Sequence, residues 1–387
     1  MKKIKKLCVI SPRYPTANNP VHTFIDQLVS KIADNDIECS VISPYSITEK
    51  LVRNSELVPR VRTRISRHGN MVRIYSPRYL SFSNSMLTFI NFRNAVIKEY
   101  EKRSLDADAV YGHFIWPSGL CAADLGELKK IPSFLAYGES TPKSYMHVKT
   151  DVLQKKLNKL SGIIAVSSTN KKELIDTGLI KNVEIAVFPN AIDSSMFKKI
   201  DRYIARTKLN IEHDQFVVAF VGHFIKRKGV TILSNVLNQM EDVYSFFIGA
   251  GPEEPQCKNI IFKGRVPHEQ MYLYLNAADI FVLPTSAEGC CNAIIEAMAC
   301  GLPIVSSDQP FNDDILNEKN SIRVNVEDEI AIKNAIMLLK HNPELRQKMS
   351  EAALESASAL NLQQRAKDII NFMETIMQKT KRGQYVD

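Results

Sequence analysis

Short β-branched runs alternate with amphipathic segments along the whole chain, and this alternation restricts the fold more than any other feature of the sequence. Strands that alternate with helices form parallel sheets covered on both faces, the doubly wound α/β arrangement. In the first half, strands are expected at Ile4–Ile10, Glu38–Ile42, Val72–Tyr75, Ala109–His113, Phe134–Tyr137, Ile163–Val166 and Glu184–Phe188. Helices are expected near Thr23–Ala33, Ser85–Lys102, Gly119–Glu127, Asp151–Leu160 and Ser168–Thr177. Pro189-Asn190-Ala191-Ile192-Asp193 interrupts this series. A second series starts at Phe216–Val221 and continues through Tyr244–Ile248, Ile260–Phe262, Ile280–Leu283, Ile304–Ser306 and Arg323–Asn325. From Glu327 onward the chain reads as helix, ending in a segment near Leu362–Lys379. At 387 residues the chain is too long for one ordinary core. The expected fold class is therefore α/β, with two Rossmann-like doubly wound parallel-sheet domains facing a cleft and helices at the C-terminus. The expected limits are 1–195, 196–361, and a final helix at 362–387 that packs back on the first domain.

Composition narrows the class. Hydrophobic residues make up 45% and charged residues 24%, as in a globular protein in water. No apolar run approaches the roughly 20 residues of a membrane helix. Met1-Lys2-Lys3-Ile4-Lys5-Lys6 begins like a signal peptide, but Pro12, Arg13 and Pro15 follow too soon, and the segment reads as a first strand. Seven cysteines without a disulfide pattern suit a reducing cytoplasm. The net charge of +8 sits on no nucleic-acid recognition motif, so no nucleic acid is expected as a partner.

The chemistry-bearing residues fall just after predicted strands, where open α/β sheets bind ligands. Glu288 stands in the loop after Ile280–Leu283, and Glu296 lies eight positions on, inside a helix that begins near Asn292. Eight helical residues span roughly 12 Å. The paired acids of a retaining glycosidase stand only about 5 Å apart. This pair instead suits two parts of one long ligand. Gly222-His223-Phe224-Ile225-Lys226-Arg227-Lys228-Gly229 follows another strand and offers cations where phosphate meets helix N–H groups. It lacks the ending of a Walker loop. Gly249-Ala250-Gly251-Pro252 follows the next strand and suggests close approach of a ligand to the backbone. In the first half, His113 ends a strand. Asp34-Asn35-Asp36 and Asp106-Ala107-Asp108 lie at strand entrances, the wrong edge for a ligand, so no metal site is expected there. Arg53, Arg60, Arg62, Arg64, Arg67, Arg73 and Arg78 crowd one stretch with only Glu56 against them. That stretch reads either as a solvated loop and strand or as a surface for anionic lipid or an acidic acceptor.

The block Asn276-Ala277-Ala278-Asp279 through Pro284-Thr285, Glu288 and Glu296-Ala297-Met298-Ala299-Cys300-Gly301-Leu302-Pro303 resembles the Glu-x7-Glu element of the retaining nucleotide-sugar glycosyltransferases of family 4, which have the two-domain GT-B fold. Lys228-Gly229, Gly249-Ala250-Gly251-Pro252, Ala165-Val166-Ser167, Pro189 to Asp193 and His113-Phe114 extend the resemblance nearly end to end. The resemblance implies the following roles. Glu288, with the backbone of Gly289, Cys290, Cys291 and Asn292, would hold hydroxyls of the donor sugar. Glu296 would bind the ribose. Lys228 would contact the diphosphate, supported by Gly222, His223, Arg227 and Gly251. Arg265 and Val266 would lie against the nucleobase, and His113 would touch the transferred sugar. The chain departs from the pattern at His223, where arginine is common, and at Ala191, where glycine is usual. Cys290-Cys291 stands where bulkier residues are common, and the loop Pro12 to His22 lacks a Gly-Gly pair.

The implied activity is transfer of a sugar from a nucleoside-diphosphate donor to a hydroxyl acceptor, with retention and without a cofactor or metal. The acceptor would be a saccharide or a lipid-linked saccharide in surface polysaccharide or glycolipid synthesis. The protein would be cytoplasmic, with peripheral contact to anionic membrane. Two rival readings remain: a nucleotide-sugar epimerase of the same fold, and a catalytically silent nucleotide-sugar binding protein.

Overall fold

The computed structural model describes residues 3–16, 21–53, 57–66, 68–141 and 145–383, with side chains of the last helix described to 379. Arg67, Glu56 and the side chain of Arg53, from the arginine-rich stretch, lie outside the described residues, as do residues 17–20 of the first loop. The chain divides into two units, one of residues 1–188 with 362–387 and the other of residues 189–361.

The first unit runs β1 (Lys6–Ile10), α1 (Thr23–Ala33), β2 (Glu38–Ile42), β3 (Tyr45–Ser46), α2 (Ile47–Arg53), β4 (Val61–Ile65), β5 (Met71–Tyr75), β6 (Arg78–Tyr79), α3 (Met86–Lys102), β7 (Ala109–His113), α4 (Leu120–Lys129), β8 (Ser133–Tyr137), α5 (Thr150–Leu157), β9 (Gly162–Ala165), α6 (Ser168–Asp176) and β10 (Glu184–Val187). The second runs α7 (Arg202–Leu209), β11 (Phe216–Val221), α8 (Val230–Asn238), β12 (Val243–Ile248), β13 (Ile260–Gly264), α9 (Met271–Ala277), β14 (Ile280–Leu283), α10 (Asn292–Ala299), β15 (Ile304–Ser307), β16 (Ser321–Val324), α11 (Glu329–His341) and α12 (Pro343–Ala359). The last helix, α13 (Leu362–Gly383), returns to the first unit.

Among the described residues, the first sheet has the order β10-β9-β8-β7-β1-β2-β5-β4 and the second β13-β12-β11-β14-β15-β16. Both are parallel except for β4, which pairs antiparallel with β5 at the edge. The strand order reverses direction between β1 and β7 in one sheet and between β11 and β14 in the other. Loops leaving two such strands diverge to opposite faces and open a crevice at their carboxyl ends. The central strands are apolar without alternation because helices cover both faces; all four residues of β14 and the first five of β11 are buried.

β4 and the pair β3–β6 were not expected from the sequence. β4 alternates arginine with Val61, Thr63 and Ile65, most of it exposed, as an edge strand permits. Its arginines turn inward to brace the first loop. Arg62 Nη1 donates to Pro15 O at 2.8 Å. Arg64 Nε pairs with Asp26 Oδ2 at 2.8 Å, and Tyr14 donates to the other oxygen of Asp26 at 2.9 Å. Arg73 pairs with Glu38 and Arg78 donates to Val58 O. The two Asp-x-Asp triplets also do structural work. Asp34 ends α1, Asp106 pairs with Lys6 at 3.4 Å, and Asp108 accepts the backbone N–H groups of Lys5 and Lys6 at 2.9 and 3.0 Å.

The structural division comes after Phe188, where the sequence placed a boundary after residue 195. Ile192 N donates to Leu360 O at 3.0 Å, so the Pro189–Asp193 segment is bound into the second unit. α13 lies along α1 and β9. Its Phe372 packs edge-on against Phe134 and Phe188, and Lys379 reaches Glu184 at 2.7 Å.

Asp279, at the entrance of β14, holds the second unit together. It accepts Arg206 Nη2 at 2.8 Å and the N–H of Val217 at 2.7 Å, and also pairs with Arg202. Arg206 is among the largest fully buried side chains, 2% exposed. Its other donors go to Ala277 O at 2.9 Å and His213 O at 2.8 Å. Removing one partner of a buried ion pair leaves the other charge without compensation. Asp279→Ala should therefore destabilise the protein by about 3–5 kcal/mol; denaturant unfolding that shifts by under about 1 kcal/mol would contradict this role.

Candidate active site

The crevice between β11 and β14 collects several of the residues picked out in the second half of the sequence. After β11 the chain makes a short 3₁₀ turn, Lys226–Lys228, capped by Gly229 at φ +70°. A Cβ on Gly229 would stand 2.2 Å from Pro284 O, so only glycine lets this turn cross the loop that leaves β14. A Cβ on Gly251 would stand 2.3 Å from Phe224 O. The glycine expected to admit a ligand thus first admits the neighbouring loop.

Close packing brings Lys228 and Glu288 together. Lys228 Nζ lies 2.5 Å from Glu288 Oε1, with both side chains about nine-tenths buried. Thr285, fully buried, donates its hydroxyl to the same oxygen at 2.7 Å. Arg227 Nη1 stands 3.4 Å from it and also donates to Ala287 O. The main chain ties the two loops again through Ser286 N to Arg227 O at 2.8 Å. Burial pulls the Lys228 pKa down, but Cys291 and Glu288 push it up harder and it ends raised, so the ammonium keeps its charge. Burial pushes the Cys291 thiol up to about 11, against the pull of Lys228. Among the described contacts none reaches Glu288 Oε2, so that oxygen remains available to a hydroxyl. A lysine has three N–H donors, which leaves donors on Lys228 for an anion.

Gly289, Cys290 and Cys291 are buried and lead into α10, whose first turn begins at Asn292. The opening N–H groups of a helix have no partner within it and attract anions. Asn190 braces this approach: its side-chain amide donates to Cys290 O at 3.0 Å and its N–H to Cys290 Sγ at 3.3 Å. One turn along α10, Glu296 Oε1 meets His268 Nε2 at 3.0 Å. His268 lies beyond the loop of Gly264, Arg265 and Val266 and packs edge-on against Phe197 at 5.2 Å. Burial lowers the His268 pKa, but the hydrogen bond and charge of Glu296 outweigh it, so the pKa ends raised. Arg265 and His223 are exposed and Val266 half-buried.

The structure therefore places Gly222, Arg227, Lys228, Glu288 and the Gly289–Asn292 segment at one switch point, and Glu296 on the helix that leaves it. It couples Lys228 to Glu288, which the sequence had assigned to separate parts of a ligand. Thr285, His268 and Asn190 carry contacts that sequence reasoning did not assign. Asn190 and His268 act through residues 100 and 28 positions away, which no spacing rule marks, while Thr285 stands three positions before Glu288.

In the first unit, His113 ends β7 beside the other switch point. It is buried, burial pushes its pKa down to about 3, and its Nε2 has no partner among the described residues. Tyr111, two positions earlier, lies 4.6 Å from it ring to ring. Glu139, which the sequence reading passed over, follows β8. It accepts the N–H of Ile115 at 2.6 Å and of Gly138 at 3.2 Å, and burial raises its pKa to about 7.

The architecture matches solved structures over nearly the whole chain. Sucrose-phosphate synthase of Thermosynechococcus elongatus superposes with a TM-score of 0.78 at 18% identity, over 97% of this chain and 100% of that one. HepE of Anabaena, solved with UDP, gives 0.73 at 16% identity, over 96% and 100%. The fold is GT-B. Residues 21–195 match the family described as Glycosyltransferase Family 4, and residues 201–356 match Glycosyl transferases group 1. The chain belongs to the GT-B glycosyltransferases, with a family 4 amino-terminal half and a group 1 carboxyl-terminal half. It is 25% identical over 373 residues to a protein of Bacillus subtilis named as a teichuronic acid biosynthesis glycosyltransferase, covering 92% of this chain and 94% of that one. It is 24% identical over 273 residues to a lipopolysaccharide core biosynthesis glycosyltransferase of Rhizobium meliloti, covering 68% and 72%.

Because Lys228 and Glu288 share one contact, their substitutions should not add. Lys228→Ala and Glu288→Gln should each lower kcat/KM on the order of 100-fold, as for loss of an electrostatic stabiliser. The double variant should fall well short of the product of the two losses. Steady-state kinetics on the four proteins measures this; full additivity would mean the pair does not act as a unit.

Proposed function

We propose that the protein is a retaining glycosyltransferase that moves a sugar from a nucleoside-diphosphate sugar to a hydroxyl of a saccharide or lipid-linked saccharide, in the building of a cell-surface polymer or glycolipid. The observation that carries the reading is the buried Lys228–Glu288–Thr285 contact at the switch point of the second sheet. The relatives named for teichuronic acid and lipopolysaccharide synthesis support the acceptor class, and the neighbour solved with UDP supports a nucleotide donor.

In this reading, the diphosphate lies against Lys228 and the first turn of α10. Glu288 Oε2 and the backbone N–H groups of Gly289 to Asn292 hold hydroxyls of the sugar. Glu296, aligned by His268, accepts from the ribose, and Arg265 and Val266 flank the base. The bond from the anomeric carbon to the diphosphate oxygen breaks while the acceptor oxygen bonds to the same face of that carbon. The acceptor proton passes to the departing diphosphate. Lys228 offsets the charge that grows on the leaving oxygens, in a site where low polarity strengthens the effect. His113 Nε2, without a partner among the described residues, can accept from a sugar hydroxyl. The charge requirement is met by Lys228 and the helix terminus, so neither metal nor cofactor has a part in this reading.

The ribose and sugar assignments separate by calorimetry. Glu296→Gln should weaken binding of a free nucleoside diphosphate about tenfold, the loss of one charge-assisted hydrogen bond. Glu288→Gln should leave that affinity within about twofold and instead reduce turnover of the donor sugar. Wild-type titrations should be unchanged by a chelator. Equal loss of nucleotide affinity in both variants would overturn the two-part assignment, and binding abolished by chelator and restored by Mg²⁺ would overturn the metal-free reading.

A further inference from the structure

The first unit carries an apolar face that its own fold leaves open. Leu51 and Val52 on α2 are 73% and 86% exposed, and Leu57 follows them at 61%. Leu80 and Phe82, after β6, and Met86, Leu87 and Ile90, at the start of α3, are also exposed. Hydrogen bonds join these segments into one surface. Thr48 on α2 donates its hydroxyl to Ser81 O at 2.7 Å and accepts the N–H of Ser81 at 2.9 Å. Phe82 N donates to Thr88 Oγ1 at 2.6 Å, and the Asn91 amide donates to Leu80 O at 2.9 Å. A surface helix normally buries one apolar stripe and shows a polar one. The first turns of α3 bury Phe89 and Phe92 and show Met86, Leu87 and Ile90 on the other side; polar Asn94 and Lys98 take the outer positions only further along. Contiguous exposed apolar surface of this kind marks an interaction site.

Charge indicates the occupant. Between residues 47 and 93 the sequence has nine lysines and arginines against Glu49 and Glu56. Glu49 is already paired with Arg13. Arg62, Arg64, Arg73, Arg78 and Arg93 are tied into the unit, while half-buried Lys50 adjoins Leu51 on α2 and exposed Arg60 follows Leu57 by three residues. A second copy of this chain would set cations against cations across a symmetric contact. The exposed side chains of this face include one aromatic ring, Phe82, too few to stack successive bases, which argues against single-stranded nucleic acid. Apolar side chains beside cations, facing outward together, fit an anionic bilayer surface.

We infer that α2, the loop after β6 and the first turns of α3 form a bilayer-docking face. On it Leu51, Val52, Phe82 and Leu87 enter the boundary between headgroups and acyl chains, while Lys50 and Arg60 sit among lipid phosphates. The inference rests on the proposed function only for what the bilayer presents, a lipid-linked saccharide acceptor.

Vesicle flotation without donor or acceptor tests it. Wild-type protein should float with vesicles of mixed phosphatidylglycerol and phosphatidylcholine at low salt, less with phosphatidylcholine alone, and progressively less as salt rises. The triple variant Leu51→Ser, Val52→Ser, Leu87→Ser should bind the mixed vesicles on the order of 100-fold more weakly, since each exposed side chain gives up apolar burial. Its thermal unfolding and its affinity for a nucleoside diphosphate should match wild type, which shows that the fold and the second unit are intact. Wild-type protein that stays unbound to the mixed vesicles, or a triple variant that binds them as tightly, overturns the inference. So does a wild-type dimer in gel filtration that the triple variant converts to monomer, because the face would then be a contact between copies. Nucleotide affinity is read separately from flotation, so failure of the docking face and failure of the donor assignment give different results.

Discussion

The ion pair between Lys228 and Glu288 is the contact on which the second unit's proposed chemistry depends. It forms because β11 and β14 are neighbours at the point where strand order reverses, so their loops meet before they diverge. Gly229 lets the loops cross without a Cβ in the way. Thr285 and Arg227 direct further donors at the carboxylate, and Asn190 fixes the backbone leading into α10. A pair buried this deeply must satisfy its hydrogen bonds or lose more in desolvation than it gains in attraction. Here the surrounding donors meet that need and fix the site's geometry before any ligand arrives. A preorganised carboxylate and ammonium need little reorganisation when charge develops on a leaving group.

The sequence made legible the fold class and the strands after which the candidate residues stand, for physical reasons. Parallel strands covered on both faces are unbroken apolar runs, so Phe216–Val221 and Ile280–Leu283 were readable at a glance. The Glu288–Glu296 spacing is local, and local spacing survives into structure. What the sequence hid is long-range. Asp279 clamps Arg206 from 73 positions away, and His268 meets Glu296 across 28. β4 went unseen because an exposed edge strand of alternating arginines looks like a charged loop. The same misreading hid what Arg62 and Arg64 do: one holds Pro15 of the first loop and the other Asp26 of α1.

The two units differ in their electrostatics. In the second, charges at the switch point are paired with one another. In the first, burial shifts the ionisable groups near the strand ends towards their neutral forms: His113 is pushed down to about 3 and Glu139 up to about 7. The contrast fits the proposed function, since phosphate is bound by fixed positive charge and sugar hydroxyls by neutral donors and acceptors. The excess positive charge of residues 47–93 belongs to the part of the first unit that carries the exposed apolar face.

A crystal structure with a nucleoside diphosphate bound is the most direct test of the central claim. The account predicts that the diphosphate lies within hydrogen-bond distance of Lys228 and of the first N–H groups of α10, with ribose hydroxyls on the Glu296 carboxylate and Glu288 still in contact with Lys228. A nucleotide bound at the amino-terminal edge of the sheet, or one that leaves Lys228 and Glu296 untouched, would contradict it.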